Sequence, residues 1–78
     1  MEKHEKSFGE SAVGLSFNPG GNEQVTAIKT QYAQAIDFLH SLRNASTDPE
    51  VQRMYSIAIT ETQTAQMWAV KAITWNNL

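Results

Sequence analysis

The stretch NASTDPE, residues 44–50, constrains the fold most, because it stops one helical pattern and starts another. Pro49 is unsuited to a helix interior but fits a first turn, and Asp48 or Thr47 can cap that turn. Glu50, three residues after Thr47, completes a capping box with it. Upstream, Val25, Ile28, Tyr32, Ala35, Ile36, Leu39 and Leu42 recur at spacings of three and four. They form one helical stripe after Asn22, which reads as its N-cap. Gln24, Lys29, Gln34, Asp37, His40 and Arg43 fall on the outward, polar face. Downstream, Val51, Met54, Ile57, Ala58, Ala65, Trp68, Ala69, Ala72, Ile73 and Trp75 define a second pattern. Helix A is expected over about 22–44 and helix B over about 48–76, roughly 33 and 40 Å long. A short link between two helices makes an antiparallel hairpin, so the fold class is all-α.

Residues 1–10, with His4 among glutamates and lysines, read as a polar, weakly ordered arm, and residues 11–78 as a single helical-hairpin domain. SAVGLSF, residues 11–17, alternates small and apolar side chains. NPGGN follows and is turn chemistry, since proline fixes φ and glycine permits positive φ.

A chain of 78 residues buries too little surface to be more than marginally stable alone. There is no cysteine, and no His, Cys and acidic cluster at metal-ligand spacing, so neither a disulfide nor a structural metal staples it. Oligomerisation is the staple left. The net charge of −2, from six basic and eight acidic side chains, argues against DNA or RNA polymers as partners but leaves open a small anion held by placed cations. MEKHEKSFGES lacks the apolar core of a signal peptide. The most apolar window, residues 67–73, is far shorter than the roughly 20 residues a membrane span needs. The reading is a soluble intracellular protein with no membrane partner.

From residue 54 to 78, Glu61 and Lys71 are the only charged residues. Lys71 sits in TAQMWAVKAITW beside both tryptophans and has two readings: a lysine snorkelling into solvent, or one of several copies converging on an oligomer axis where an anion neutralises them. The neutral but polar TETQTAQ, residues 60–66, is suited to hydrogen-bond between protomers without burying charge, which makes helix B the candidate oligomer axis. Met67, Trp68 and Trp75 read as core or interface. Lys29 is either a solvated lysine or a cation two to three turns from the loop GLSFNPGG, whose backbone N–H groups and Phe17 suit a nucleotide. Phe17 also reads as a core anchor or hydrophobic staple. Two glycines alone make no phosphate-binding loop. His4 and His40 lie far apart, Ser41 and Ser46 have no evident triad partners, and Glu61 has no second carboxylate nearby. No catalytic residue, metal ligand or cofactor site follows.

VGLSFNPGGNEQVTAIK, DPE and SIAITETQTAQMWAVKAITW together resemble the phage anti-CBASS cyclic-nucleotide sponge family, which shares a helical hairpin domain with anti-Thoeris sponges. The resemblance spans about residues 12–75. It implies a compact homo-oligomer, a hexamer, that sequesters cyclic oligonucleotides such as cyclic GMP-AMP without cleaving them, in the cytoplasm of the infected bacterial host. By that resemblance Phe17, Asn18 and Lys29 hold a cyclic dinucleotide between protomers. Lys71 replaces the arginine the family uses at a three-fold trinucleotide site, keeping the charge but losing the bidentate fork. A two-fold interface presenting paired lysines and aromatics also matches the symmetry of a cyclic dinucleotide. The rival reading is a helical-hairpin interaction protein, an inhibitor or adaptor of another protein. An enzyme comes third.

Overall fold

The computed structural model of the chain describes residues 5–18 and 20–77, so His4 and Pro19 lie outside the described residues. Three α-helices follow in order, α1 Phe8–Val13, α2 Glu23–Ala45 and α3 Pro49–Thr74, and a 3-10 turn over Trp75–Asn77 extends the last. There are no strands among the described residues. The long helices are antiparallel partners in a hairpin, and α1 packs chiefly on α2.

Helix α1 corrects the expectation of a weakly ordered arm through residue 10. Its first turn is fixed by a capping box: the Ser7 hydroxyl accepts the Glu10 N–H at 3.0 Å, and the Glu10 carboxylate accepts the Ser7 N–H at 2.9 Å. It stops at Gly14, which takes a left-handed conformation at φ 61°. There the Leu15 N–H closes onto the Glu10 carbonyl at 3.0 Å. Lys6, also expected in the arm, donates to the Ser16 hydroxyl at 3.0 Å.

Close packing of α1 on α2 depends on Gly9. Its N–H, one of the unpaired donors of a first helical turn, donates to Asp37 Oδ1 at 2.6 Å. A Cβ there would collide with the Ala33 carbonyl and lie 2.9 Å from Asp37 Oδ1. Farther along, Val13 enters a small core with Ala33, Ile36 and Ile59. At the other end Phe8 stacks on His40, with ring centroids 4.1 Å apart. Arg43 lies 5.6 Å from the Phe8 ring and donates to Ser56 of α3 at 3.2 Å.

This packing revises the polar face assigned to α2. Lys29 is buried, and Asp37, His40 and Arg43 are half-buried, whereas Ala35 is exposed. The physical reason is that α1 covers the flank that the hairpin alone would leave in water. The link to α3 also resolves: Asp48, not Thr47, is the N-cap, accepting from the Glu50 N–H at 2.9 Å. Glu50 instead pairs with Arg53 at 2.6 Å. That guanidinium holds the Glu50 carboxyl below its ordinary range, although a pair this exposed adds little stability.

Helix α3 turns an unexpected face inward. Ile59 and Gln66 are its buried positions, while Met54, Ile57, Met67, Trp68 and Trp75 are exposed. The threonines of its middle are satisfied within the helix: Thr60, Thr62 and Thr64 donate to the Ser56, Ala58 and Thr60 carbonyls. The whole is a thin plate, 44 × 36 × 13 Å, about one helix thick. Its radius of gyration of 14.1 Å exceeds the roughly 11.5 Å of a compact chain this long. Its accessible surface of 5754 Å² exceeds the roughly 4,700 Å² typical of its mass.

Gly9→Ala tests the close approach of α1. The added methyl should destabilise the protein by about 1–3 kcal/mol through overpacking. Thermal unfolding followed by circular dichroism reads it as a lowered midpoint, and an unchanged midpoint would show that α1 is free to move off α2.

Candidate functional site

The connection between α1 and α2, residues 14–22, is held by side chains that fold back on it. Asn18 Oδ1 accepts the Asn22 N–H at 3.2 Å, while its Nδ2 donates to the Asn22 carbonyl at 2.9 Å and to Thr26 Oγ1 at 2.8 Å. Asn22 then caps α2, accepting the Gln24 and Val25 N–H groups at 2.8 and 3.2 Å. Asn18 is thus a turn-forming residue, with its amide committed to the backbone and to Thr26.

Lys29 reaches back from the second turn of α2 into this loop. Its ammonium donates to the Phe17 carbonyl at 2.6 Å and to the Gly14 carbonyl at 3.0 Å, and lies 5.7 Å from the Phe17 ring. The side chain is 5% exposed. Among the described residues no carboxylate pairs with it. An ammonium has three N–H donors, so one remains for another acceptor. A buried cation answered only by carbonyl dipoles leaves a local positive potential, the electrostatic condition for holding an anion.

That charge borders a groove of about 770 Å³ between the end of α1, the loop and the second half of α3, within the size range of small-molecule sites. Val13, Met67 and Val70 supply apolar walls. Thr60, Thr64, Gln63 and Gln66 supply polar groups, and Phe17 stands at the edge, 74% exposed. Phe17 is therefore not the core anchor that one sequence reading allowed; its ring is free to meet a ligand. Among the described residues no carboxylate lines the groove. Among the described residues no group of His, Cys, Asp and Glu could hold a metal ion.

Lys71 does not share this groove. It lies in a separate cleft of about 290 Å³ with Trp68, Ala72 and Trp75, one face of α3 at spacings of three and four. Its ammonium is 5.3 Å from the Trp68 ring and 5.8 Å from the Trp75 ring, distances at which a cation is attracted by the ring faces. The remaining sequence candidates scatter. His40 stacks on Phe8, Ser41 donates to the Phe38 carbonyl at 2.8 Å, Ser46 accepts the Asp48 N–H at 3.2 Å, and Glu61 is exposed. Among the described residues no histidine lines the groove beside its hydroxyls.

Gln66 was not singled out in the sequence, yet it is 5% exposed and lines the groove. Its signal was positional: it lies seven residues after buried Ile59, two helical turns along the same face.

No helix among the described residues is long and apolar enough to cross a membrane. No curated protein and no solved structure matches the chain. The family model described as Acb2/Tad1, hairpin domain, matches residues 10–74. That match takes in α1 from its third residue, the loop that Lys29 ties down and both arms of the hairpin, so the chain belongs to the Acb2/Tad1 hairpin-domain family of anti-CBASS and anti-Thoeris sponges.

Proposed function

We propose that the chain is a non-enzymatic sponge that binds cyclic oligonucleotide second messengers in the infected host's cytoplasm and so keeps antiphage effectors inactive. Cyclic dinucleotides, cyclic GMP-AMP among them, occupy the groove, where Lys29 faces a phosphate and Phe17 stacks on a base. Asn18 acts through the loop it braces. The observation that carries this reading is the buried Lys29 ammonium, with no carboxylate and one donor in hand, beside an exposed aromatic ring. Binding needs affinity and no turnover, which suits a groove without a nucleophile and base pair.

In this reading the protein works as a homo-oligomer, a hexamer by resemblance, with the dinucleotide site completed across a pair of protomers. The plate shape and excess surface support assembly. So does the exposed stripe of α3, in which Met54, Ile57, Trp68 and Trp75 recur at helical spacing with Glu61 and Lys71 the two charged residues among them. Lys71 and its two indoles then face other protomers and hold a cyclic trinucleotide. The same exposed stripe is what favours the second reading, a hairpin that docks on another protein.

Calorimetric titration with cyclic dinucleotides, with linear dinucleotides as controls, tests the reading. Binding should be confined to cyclic forms, at fewer than one ligand per chain, with the ligand recovered chemically unchanged. Phe17→Ala should lower affinity roughly 5- to 150-fold, the range of one base–aromatic stack, and leave the unfolding midpoint unchanged because the ring is solvent-exposed. Lys29→Ala should abolish measurable binding and also lower the midpoint, since it frees the loop. Wild-type affinity in Phe17→Ala would remove that ring from the site, and no binding of any cyclic nucleotide by the wild type would leave the protein-docking reading. Lys71→Glu should lose cyclic trinucleotide while keeping cyclic dinucleotide; equal trinucleotide affinity in the variant would exclude Lys71 from that site.

A further inference from the structure

Lys29 and Gln66 are the two buried polar side chains among the described residues, and both line the same groove. Lys29 is explained by the loop it ties down. Gln66 is not. At 5% exposure its side-chain amide makes no hydrogen bond within the described chain. No side-chain nitrogen or oxygen that is cut off from solvent lacks a partner. The Gln66 amide therefore opens on accessible space, and the groove is the space it lines. Gln63, one turn earlier, shows the contrast: it lines the same groove, but its Nε2 donates to the Ala12 carbonyl at 3.4 Å.

An amide in so enclosed a position, with only the groove to supply a partner, gives the fold nothing that leucine or methionine of nearly its shape would not. The fold therefore gives no reason for glutamine here, whereas a ligand does. The amide offers one donor and one acceptor side by side. Adenine presents the complement, the N6 amino donor next to the N7 acceptor, which glutamine engages through two hydrogen bonds. Guanine presents two acceptors on that edge, N7 and O6, and one of them would face the amide oxygen.

We infer that Gln66 is the base-reading residue of the groove, pairing with the adenine edge of a bound cyclic nucleotide and favouring adenine over guanine. The inference rests on the sponge reading, and completes it. The groove then holds a group for each part of a nucleotide: Lys29 for the phosphate, Phe17 for the face of a base, Gln66 for a base edge.

The test is calorimetric titration of the full chain and its Gln66→Leu and Gln66→Met variants with cyclic di-AMP and cyclic di-GMP, beside thermal unfolding without ligand. The wild type should prefer cyclic di-AMP. Both variants should lose roughly 5- to 150-fold in affinity for it, the discrimination carried by one bidentate base contact, with an unfolding midpoint equal to or above that of the wild type. Equal binding of cyclic di-AMP by wild type and variants, or a wild-type preference for cyclic di-GMP, would overturn the inference while the sponge reading stands. A lowered midpoint in both variants would show the amide to be structural and would equally overturn it. Absence of any cyclic dinucleotide binding by the wild type would instead take down the sponge reading and this inference with it.

Discussion

The rest of the structure depends on where the Lys29 ammonium sits. By donating to the carbonyls of Gly14 and Phe17 it ties the α1–α2 connection to the side of α2. The loop is otherwise held by Asn18, the Asn22 cap, the Lys6–Ser16 bond and its own backbone turns. The tether fixes the end of α1, through Gly14, and the exit of the Phe17 ring toward the groove. Neutralising Lys29 with a carboxylate would hold the loop as well, but would cancel the field at the groove wall. Carbonyl dipoles stabilise the ammonium without removing its net charge, so the group that holds the loop keeps a positive field at the groove wall.

A second consequence comes from how little the chain buries. Among the described residues five apolar side chains are buried: Val13, Val25, Ala33, Ile36 and Ile59. Four of them form one cluster where the three helices meet. Even that cluster depends on α1, a six-residue helix too short to be stable alone, held by its capping box and by the contact of Gly9 with Asp37. Cooperativity therefore runs through polar contacts as much as apolar ones. The larger apolar side chains, both tryptophans among them, stay outside. Large apolar side chains left exposed around so small a core are hydrophobic surface that folding of the single chain does not remove from water.

The hairpin was legible because its signals are local. NASTDPE breaks the chain, proline and aspartate start α3, and the periodicity of each long segment needs no knowledge of the other. Two features were not legible for one shared reason: periodicity ranks the faces of a helix by composition and cannot see what covers them. Lys29 and Asp37 lie off the main stripe of α2, yet the loop after α1 buries the first and α1 half-buries the second. The stripe of α3 that is richest in tryptophan and methionine faces away from the hairpin, while Ile59 and Gln66 face into it. Helix α1 itself spans too few residues to show a period, although Ser7 and Glu10, spaced as a capping box, were its available signal. At the site, Phe17 and Lys29 could be picked out from the resemblance and the loop composition. Gln66 could not, because its positional signal, two turns after Ile59, counts only once Ile59 is known to face inward, and the tryptophans and methionines drew the reading to another face.

The two lysines singled out by sequence show how one side chain serves two kinds of site. Lys29 is held by directed hydrogen bonds that take two of its three donors, so its position is set before any ligand arrives and little freedom remains to be lost on binding. Lys71 is held by the faces of Trp68 and Trp75, which attract its charge without taking its N–H groups in directed bonds. All three of its donors stay available, and the side chain can tilt between the rings. A cation of the first kind suits one phosphate in one fixed place. One of the second kind suits a phosphate whose position varies, or a site in which several copies approach a common anion, because each ammonium can adjust while its indoles keep it from straying. The lysine that stands alone in the neutral run of α3 is thus stabilised within its own chain by two rings, while its N–H donors are left to solvent or to a ligand that displaces it.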